Sequence, residues 1–146
     1  MSRRDDILSN IKQRMQLISE ANGYHADISD VSVWRVTPYA NNDLPAINIR
    51  DLQETEVSEE RKGGVTKHQM TVEIEATCAG NTTASDLRML IADIENAIRQ
   101  DERWSGLAIK TLPKKNEFVI AQDKQKIGGV LVNVVVEYLT LRFQEN

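Results

Sequence analysis

The spacing of apolar residues predicts two amphipathic helices, over residues 3–22 and 84–101. In both segments apolar side chains recur at steps of three and four residues, the period of one helix face. The first stripe consists of Ile7, Leu8, Ile11, Met15 and Ile18, and the second of Leu87, Leu90, Ile91, Ile94 and Ile98. Ser2 and Thr83 each precede an aspartate by three residues, which marks a helix start, and Gly23 is a stop signal. We interpret both stripes as core-packing faces rather than as cofactor sites.

Alternating and β-branched runs predict strands over most of the remaining chain. The predicted strands are residues 31–37, 45–51, 67–78, 107–113, 116–122 and 128–143. The polar stretch 51–64 ends in the pair Gly63-Gly64, which indicates a turn. The strands on either side are therefore expected to form a long hairpin with an exposed arm at about residues 52–66.

This order of elements predicts one α+β domain over residues 1–146, with a mostly antiparallel sheet of about five to six strands and two helices packed on one face. The segment 128–143 is apolar on both faces apart from Asn133 and Glu137, so we place it centrally in the sheet. Trp34 lies in a β-branched run and could be a core residue or an interface anchor; we favour the core, where a large aromatic side chain buries its area.

The strand 67–78 separates its side chains cleanly between two faces, since successive residues point to opposite sides. Glu73 and Glu75 share the polar face, which raises the alternatives of a catalytic carboxylate pair and a solvated strand face. Tuning a carboxylate for acid–base work needs burial or a close like charge, and the neighbouring sequence indicates neither. We favour the solvated face. Cys78 and His68 fall on the apolar face, where a thiol is normally inert.

Composition and charge exclude several classes of protein. The chain has 146 residues, 40% of them hydrophobic, and a net charge of −4, so no overall attraction to nucleic acid or anionic membrane is expected. No apolar run reaches the roughly 18–20 residues that cross a bilayer, and the first ten residues lack the apolar core of a signal peptide. Cys78 is the single cysteine, which excludes an internal disulfide and fits a bacterial host cytoplasm.

Motifs that carry chemistry are absent from the sequence. No zinc-type cysteine or histidine spacing, phosphate-binding glycine loop or nucleophile elbow occurs. His25, Asp27 and Asp30 form the nearest approach to a metal cluster, and we interpret them as a polar loop. We therefore expect no enzyme activity, no cofactor and no metal.

The distribution of charge is uneven. Residues 51–60 carry acids and no base, while residues 110–126 are rich in lysine. One interpretation is ordinary solvated surface; the other is a complementary head-to-tail interface between copies, which closes into a ring. The candidate interface residues are Asp51, Glu54, Glu56, Glu59, Glu60, Lys114, Lys115, Lys124 and Lys126.

Several segments resemble the phage tail terminator proteins, the minor tail protein U family of lambdoid phages. They are LPAINIR at 44–50, a polar arm at 54–68, QMTVEIEATCAG at 69–80, the helix at 81–98, and the pair RWSGLAIKTL at 103–112 and GVLVNVVVEYLTL at 129–141. The resemblance lies in order and patterning, and the chain departs from the family in a longer insert at 24–43 and in longer final strands.

The resemblance implies a small structural subunit that forms a ring, expected to be a hexamer, on the tail tube. The ring would stop tube polymerisation and contact the tail tube protein and the head–tail connector, without catalysis, membrane or sequence-specific nucleic acid. It would assemble in the host cytoplasm and remain in the virion tail. The alternatives are a head–tail completion protein, a relic in a prophage, a small binding or assembly module of other origin, or an enzyme whose motifs are not recognised.

Overall fold

Two helices and five strands make up the part of the chain that a computed structural model describes, residues 2–58, 64–79, 82–120 and 128–141. In chain order they are α1 (Arg3–Met15), β1 (Asp30–Val33), β2 (Ala46–Ser58), β3 (Val65–Cys78), α2 (Ala84–Gln100), β4 (Lys110–Ile120) and β5 (Gly128–Leu141). Short 3-10 turns lie at Glu20–Asn22 and Asn41–Asp43.

The strands form one sheet in the order β1-β2-β3-β5-β4. β1 runs parallel to β2, and every other neighbouring pair is antiparallel. The predicted α+β class and mostly antiparallel sheet are confirmed, and β5 lies between two strands as expected. The predicted hairpin partners pair along the whole described length of β2, from Ala46 opposite Thr77 to Ser58 opposite Thr66.

One face of the sheet, here called the helix-covered face, packs against both helices and forms the core. It includes Met70, Val72 and Ile74 of β3, which are fully buried together with Val136 of β5. The helices contribute the stripes predicted from the sequence: α1 buries Ile7, Leu8, Ile11 and Met15, and α2 buries Leu87, Leu90, Ile94 and Ile98. The other side, here called the opposite face, includes Gln69, Glu73 and Glu137.

Both helices begin as the sequence predicts, but the first is shorter than expected. Capping boxes are formed by Ser2 with Asp5 and by Thr83 with Asp86. The prediction that α1 continues to residue 22 is wrong, because the helix ends at Met15. The N–H groups of Leu17 and Ile18 bond carbonyls only three residues back, those of Arg14 and Met15, and the carbonyl of Ile18 accepts from the N–H of Ile28 at 3.1 Å, so the α-helical bonding stops there.

Trp34 contradicts the prediction of a strand over 31–37 and of a buried tryptophan. β1 ends at Val33, because Trp34 has a φ of 54°, a left-handed conformation that breaks an extended chain. The residue is 49% exposed, and its indole Nε1–H donates to Asp51 Oδ1 at 2.6 Å. The bond to the largely buried carboxylate of Asp51 satisfies the polar end of the ring while the tryptophan stays half exposed.

The two strands predicted at 107–113 and 116–122 are a single strand, β4. Pro113, the last residue of the first predicted strand, lies within β4, where a register irregularity between Pro113 and Lys115 accommodates it. β4 is the last strand of the sheet, and proline is tolerated at sheet edges because no ladder hydrogen bond is needed on the outer side.

Candidate functional site

A buried polar network lies at one end of the helix-covered face, where the hairpin passes the start of α1. The strand registers bring its members together: Glu56 stands opposite His68, and His68 opposite Tyr138. A register shift between Asp51 and Gln53 reverses the alternation of β2 there, so that Asp51 and Glu54 lie on the same face.

Arg4 of α1 connects the acidic side chains of this network. Its guanidinium lies 2.6 Å from Glu54 Oε2 and 3.6 Å from Asp51 Oδ2. The hydroxyl of Tyr138 donates to the second oxygen of Glu54. Because Asp51 also accepts the indole N–H of Trp34, the contacts run without interruption from the end of β1 to β5.

His68 closes the network on the side of the hairpin arm and is only 2% exposed. Its Nδ1 lies 3.2 Å from Glu54 Oε2 and 3.7 Å from Glu56 Oε1, and its Nε2 lies 2.7 Å from Thr140 Oγ1. The imidazole stacks on the Tyr138 ring with centroids 4.6 Å apart. Both ring nitrogens therefore have polar partners, and the Tyr138 ring covers one face of the imidazole.

The electrostatics of the network favour a charged pair at neutral pH. Burial opposes ionisation of Glu54, but hydrogen bonds from Arg4 and Tyr138 outweigh it and hold the pKa of Glu54 below its usual value. The hydrogen bond to Glu54 raises the pKa of Arg4. Burial, reinforced by the Glu54 carboxylate, raises the pKa of Tyr138, so its hydroxyl stays protonated and continues to donate.

Three residues of the network have the donor types that hold a divalent cation. Ligand atoms of Glu54, Glu56 and His68 lie within 4.8 Å of one another. The guanidinium of Arg4 already forms an ion pair with Glu54 at 2.6 Å, so a metal ion bound by Glu54 would have to displace it. The arrangement is therefore better suited to fixing α1 on the hairpin than to holding a metal. Sequence analysis named Glu54 and Glu56 only as interface candidates, because their meeting with His68 depends on the register of β2 against β3.

The opposite face carries the two carboxylates first considered as a pair. Glu73 and Glu75 lie on the polar face as predicted, but they are less solvated than expected, since their side chains are 16% and 33% exposed. Both form ion pairs with Arg50 of β2, that with Glu75 at 3.2 Å. Asn48 stands opposite Glu75 in the register and binds the backbone of Arg35. The residues beside Glu73 and Glu75 thus supply a cation and an amide that fix this part of the face.

A second charged cluster on the opposite face joins three strands. Glu137 of β5 is 3% exposed, and Lys67 of β3 and Lys110 of β4 each place Nζ 3.5 Å from its carboxylate. The hydrogen bond from Gln69, at 3.0 Å, outweighs burial and, with the two lysines, lowers the pKa of Glu137. Sequence analysis recognised Glu137 as a polar exception but could not supply its partners, which depend on the order of the strands.

Cys78 lies at the end of β3 on the helix-covered face, as predicted. It is buried, and burial raises the pKa of its thiol to about 11. The thiolate that would react as a nucleophile is therefore scarce at neutral pH.

The structure places the predicted interface residues in different settings. Asp51 and Glu54 belong to the internal network with Arg4, whereas Glu56 is 60% exposed at its side chain. Lys114 and Lys115 are exposed on β4 at the far edge of the sheet, where Lys115 pairs with Glu117 at 2.5 Å. Glu59, Glu60, Lys124 and Lys126 lie outside the described residues.

Comparisons with known proteins give structural likenesses only, to 35 chains of solved structures. No protein-family model matches the chain, and no curated protein matches it. The chain is similar to a chain in a solved structure described as "Virion of native gene transfer agent (GTA) particle", with 10% sequence identity and a TM-score of 0.43. The alignment covers 89% of this chain and 92% of that one. Within the described ranges, no helix has the length and apolar character needed to span a membrane.

Proposed function

We propose that this chain is a structural protein of a phage or phage-derived particle, and that it acts as a tail terminator by forming a ring on the end of the tail tube. The observation that carries the proposal is the order of elements. The helix α1, the β2–β3 hairpin, the helix α2 and the closing pair β4–β5 follow one another along the chain, and all the strands belong to one sheet. This is the order that the sequence resemblance implies.

The long hairpin supports an assembly role. β2 and β3 have 13 and 14 residues, and they pair far beyond the four residues of β1. Beyond the segment that pairs with β1, Glu54 fixes the hairpin to α1 through its contact with Arg4 and to β5 through its contact with Tyr138. Such bracing holds the strand pair in one orientation, which a subunit needs if it is to meet its neighbours at a constant angle.

The proposed action is mechanical and involves no catalysis or cofactor. A ring, proposed as a hexamer, would cover the last layer of tail tube protein, stop its polymerisation and present a surface to the head–tail connector. Contacts of this kind depend on shape and complementary charge rather than on a reactive group.

The proposal is tested by deleting the coding sequence from the phage or prophage that carries it and measuring tails by electron microscopy. We expect tubes of variable and excessive length without attached heads, and restoration of uniform tails by a plasmid copy. Tails of normal length joined to heads in the deletion strain would contradict the proposal. An epitope-tagged copy should be found at the head-proximal end of the tail.

A further inference from the structure

The connection between α1 and β1 contains the one Asn-Gly pair of the sequence, Asn22-Gly23. An asparagine followed by glycine can lose its side-chain amide without an enzyme, because glycine has no Cβ to keep its backbone nitrogen from the side-chain carbonyl carbon. Asparagine is accordingly one of the thermolabile residues of proteins. Both Asn22 and Gly23 are exposed, and a Cβ built on Gly23 would meet no atom within 4 Å. Water and base therefore have access to the pair.

A short 3-10 turn, Glu20–Asn22, holds the pair in the folded chain, and Gly23 ends the turn with a φ of 90°. The backbone N–H of Gly23 donates to the carbonyl of Glu20 at 3.0 Å, and the side-chain amide of Asn22 donates to the carbonyl of Leu17 at 2.8 Å. The Gly23 nitrogen is the atom that attacks the side chain of Asn22. Its hydrogen bond to Glu20 therefore has to open before the reaction can begin.

Opening of this turn costs little apolar packing, because none of its three residues is buried. Exposed segments of this kind open locally at a much smaller cost than global unfolding. From outside the turn, the carboxylate of Asp27 accepts the backbone N–H of Glu20 at 2.7 Å. Asp27 is therefore a side chain that controls how often the Gly23 nitrogen is released.

The segments on either side of the turn are anchored to the rest of the fold. The N–H groups of His25 and Ala26 donate to the carboxylate of Asp93 on α2, at 3.0 and 2.9 Å, and Asp93 is 2% exposed. Before the turn, the carbonyl of Ile18 accepts from the N–H of Ile28 at 3.1 Å. A change in backbone length within the turn would therefore be imposed on a connection whose ends are fixed.

We propose that Asn22 is a site of spontaneous deamidation, and that opening of the turn Glu20–Asn22 controls its rate. The Gly23 nitrogen gives its proton to base and attacks the side-chain carbonyl carbon of Asn22. A C–N bond forms to close a cyclic imide, and the bond to the side-chain amide nitrogen breaks, so that this nitrogen takes up a proton and leaves as ammonia. Water then opens the imide at either of its carbonyls, which yields aspartate or isoaspartate at this position.

Both products change the connection between α1 and β1. Each lacks the amide donor that Asn22 offers to the carbonyl of Leu17. Aspartate places a carboxylate beside that carbonyl oxygen, where two acceptors face each other without a proton between them. Isoaspartate adds one carbon to the backbone between the anchored segments. We expect both to loosen the connection. The inference goes beyond the proposed function and does not depend on it.

Peptide mass spectrometry after incubation of the folded chain at mildly alkaline pH tests the proposal. Trypsin cleaves after Arg14 and Arg35, and the peptide of residues 15–35 contains Asn22 as its single asparagine. Incubation in water enriched in heavy oxygen, followed by digestion in ordinary water, marks the product formed before digestion. We expect this peptide to gain the mass of deamidation at a rate that rises with pH, and to become a substrate for isoaspartyl methyltransferase.

An asparagine of the same chain provides the internal control. Asn10 lies within α1 and is followed by Ile11, whose side chain hinders the approach of the backbone nitrogen. It is the single asparagine of the tryptic peptide of residues 5–12 and should react much more slowly than Asn22. Asn22→Gln should abolish the mass gain in the peptide of residues 15–35, because its longer side chain would have to close a larger ring.

A second variant tests the role of the turn. Asp27→Ala removes the acceptor of the Glu20 N–H and should speed deamidation of Asn22 roughly tenfold, since a hydrogen bond to a charged group is lost. Its midpoint of unfolding in urea should stay close to that of the parent chain, which assigns the faster reaction to local opening. Glu117→Ala is the matched control, because it removes one carboxylate from β4 and should leave the rate unchanged.

Two results would overturn the inference. A folded chain in which Asn22 reacts no faster than Asn10 would show that Asn22 is not a deamidation site. Equal rates for Asp27→Ala and the parent chain would show that the turn does not control the reaction. Unfolding in urea should give the highest rate of all, that of the fully open turn. The tail-length experiment tests the proposed function separately, whichever result is obtained here.

Discussion

Replacing Arg4 with methionine is expected to destabilise the fold by about 2 kcal/mol. Methionine keeps most of the side-chain volume and removes the charge, leaving Glu54 ionised and without its main partner. The side chain of Glu54 is 9% exposed and that of Arg4 is 32% exposed. Breaking a fully buried pair costs about 3–5 kcal/mol, and exposed pairs contribute about 0–1 kcal/mol. The partial exposure of Arg4 places this pair between the two.

The matched control is Arg14→Met in the same helix. Arg14 lies 4.0 Å from Asp101, and both side chains are more than a quarter exposed, so its loss should cost less than about 1 kcal/mol. Urea unfolding followed by tryptophan fluorescence, at a concentration that keeps the chain monomeric, measures both variants. Equal losses for Arg4→Met and Arg14→Met would refute the view that the network braces the hairpin.

The effect of Arg4→Met should also depend on pH with a definite sign. The pKa of Glu54 is lower in the folded chain than its usual value. A depressed carboxyl pKa contributes stability above the pKa of the unfolded chain, near 4.3, and that contribution is lost as the pH falls through the folded pKa. The difference between parent and variant should therefore be full at pH 7 and shrink below about pH 4. A difference that stays constant down to acid pH would show that lost packing, not lost charge pairing, is responsible.

Three further changes probe other parts of the fold. Ile74→Ala, at the fully buried centre of β3, should lower the free energy of unfolding by about 2–5 kcal/mol in urea, and a loss below about 1 kcal/mol would place Ile74 outside the core. Thr83→Ala removes the cap of α2 and should cost about 1 kcal/mol, whereas Thr83→Ser should cost little; equal stability of the two would deny the cap a role. Cys78, with a pKa of about 11, should react with Ellman's reagent at pH 8 roughly 100-fold more slowly than free cysteine until denaturant is added, and fast reaction in buffer would contradict its burial.

The parts of the fold that sequence analysis predicted depend on local periodicity. The alternation over residues 67–78 identified β3 and assigned Ile74 and Glu73 to the correct faces, because the two-residue period does not depend on the partner strand. The capping residues Ser2 and Thr83 marked both helix starts for the same reason, since a cap and its aspartate lie within one turn.

The features that sequence analysis missed depend on contacts between distant segments. The shift in register near Leu52, which aims Asp51 and Glu54 at the same face, arises from the pairing of β2 with β3. The exposure of Trp34 follows from a single left-handed residue and a bond to Asp51, neither of which hydrophobicity predicts. The partners of Glu54 come from α1, β3 and β5, so the network could not be predicted before the topology was known.

The most direct test of the proposed ring is the mass of the parent chain in solution, measured by sedimentation velocity over a wide range of concentration. The proposed function predicts a concentration-dependent step from a monomer of 16.5 kDa to a closed assembly of about six copies. A tight dimer whose mass does not change with concentration would contradict it, because a two-fold pair uses the same patch on both copies and leaves no surface for ring closure.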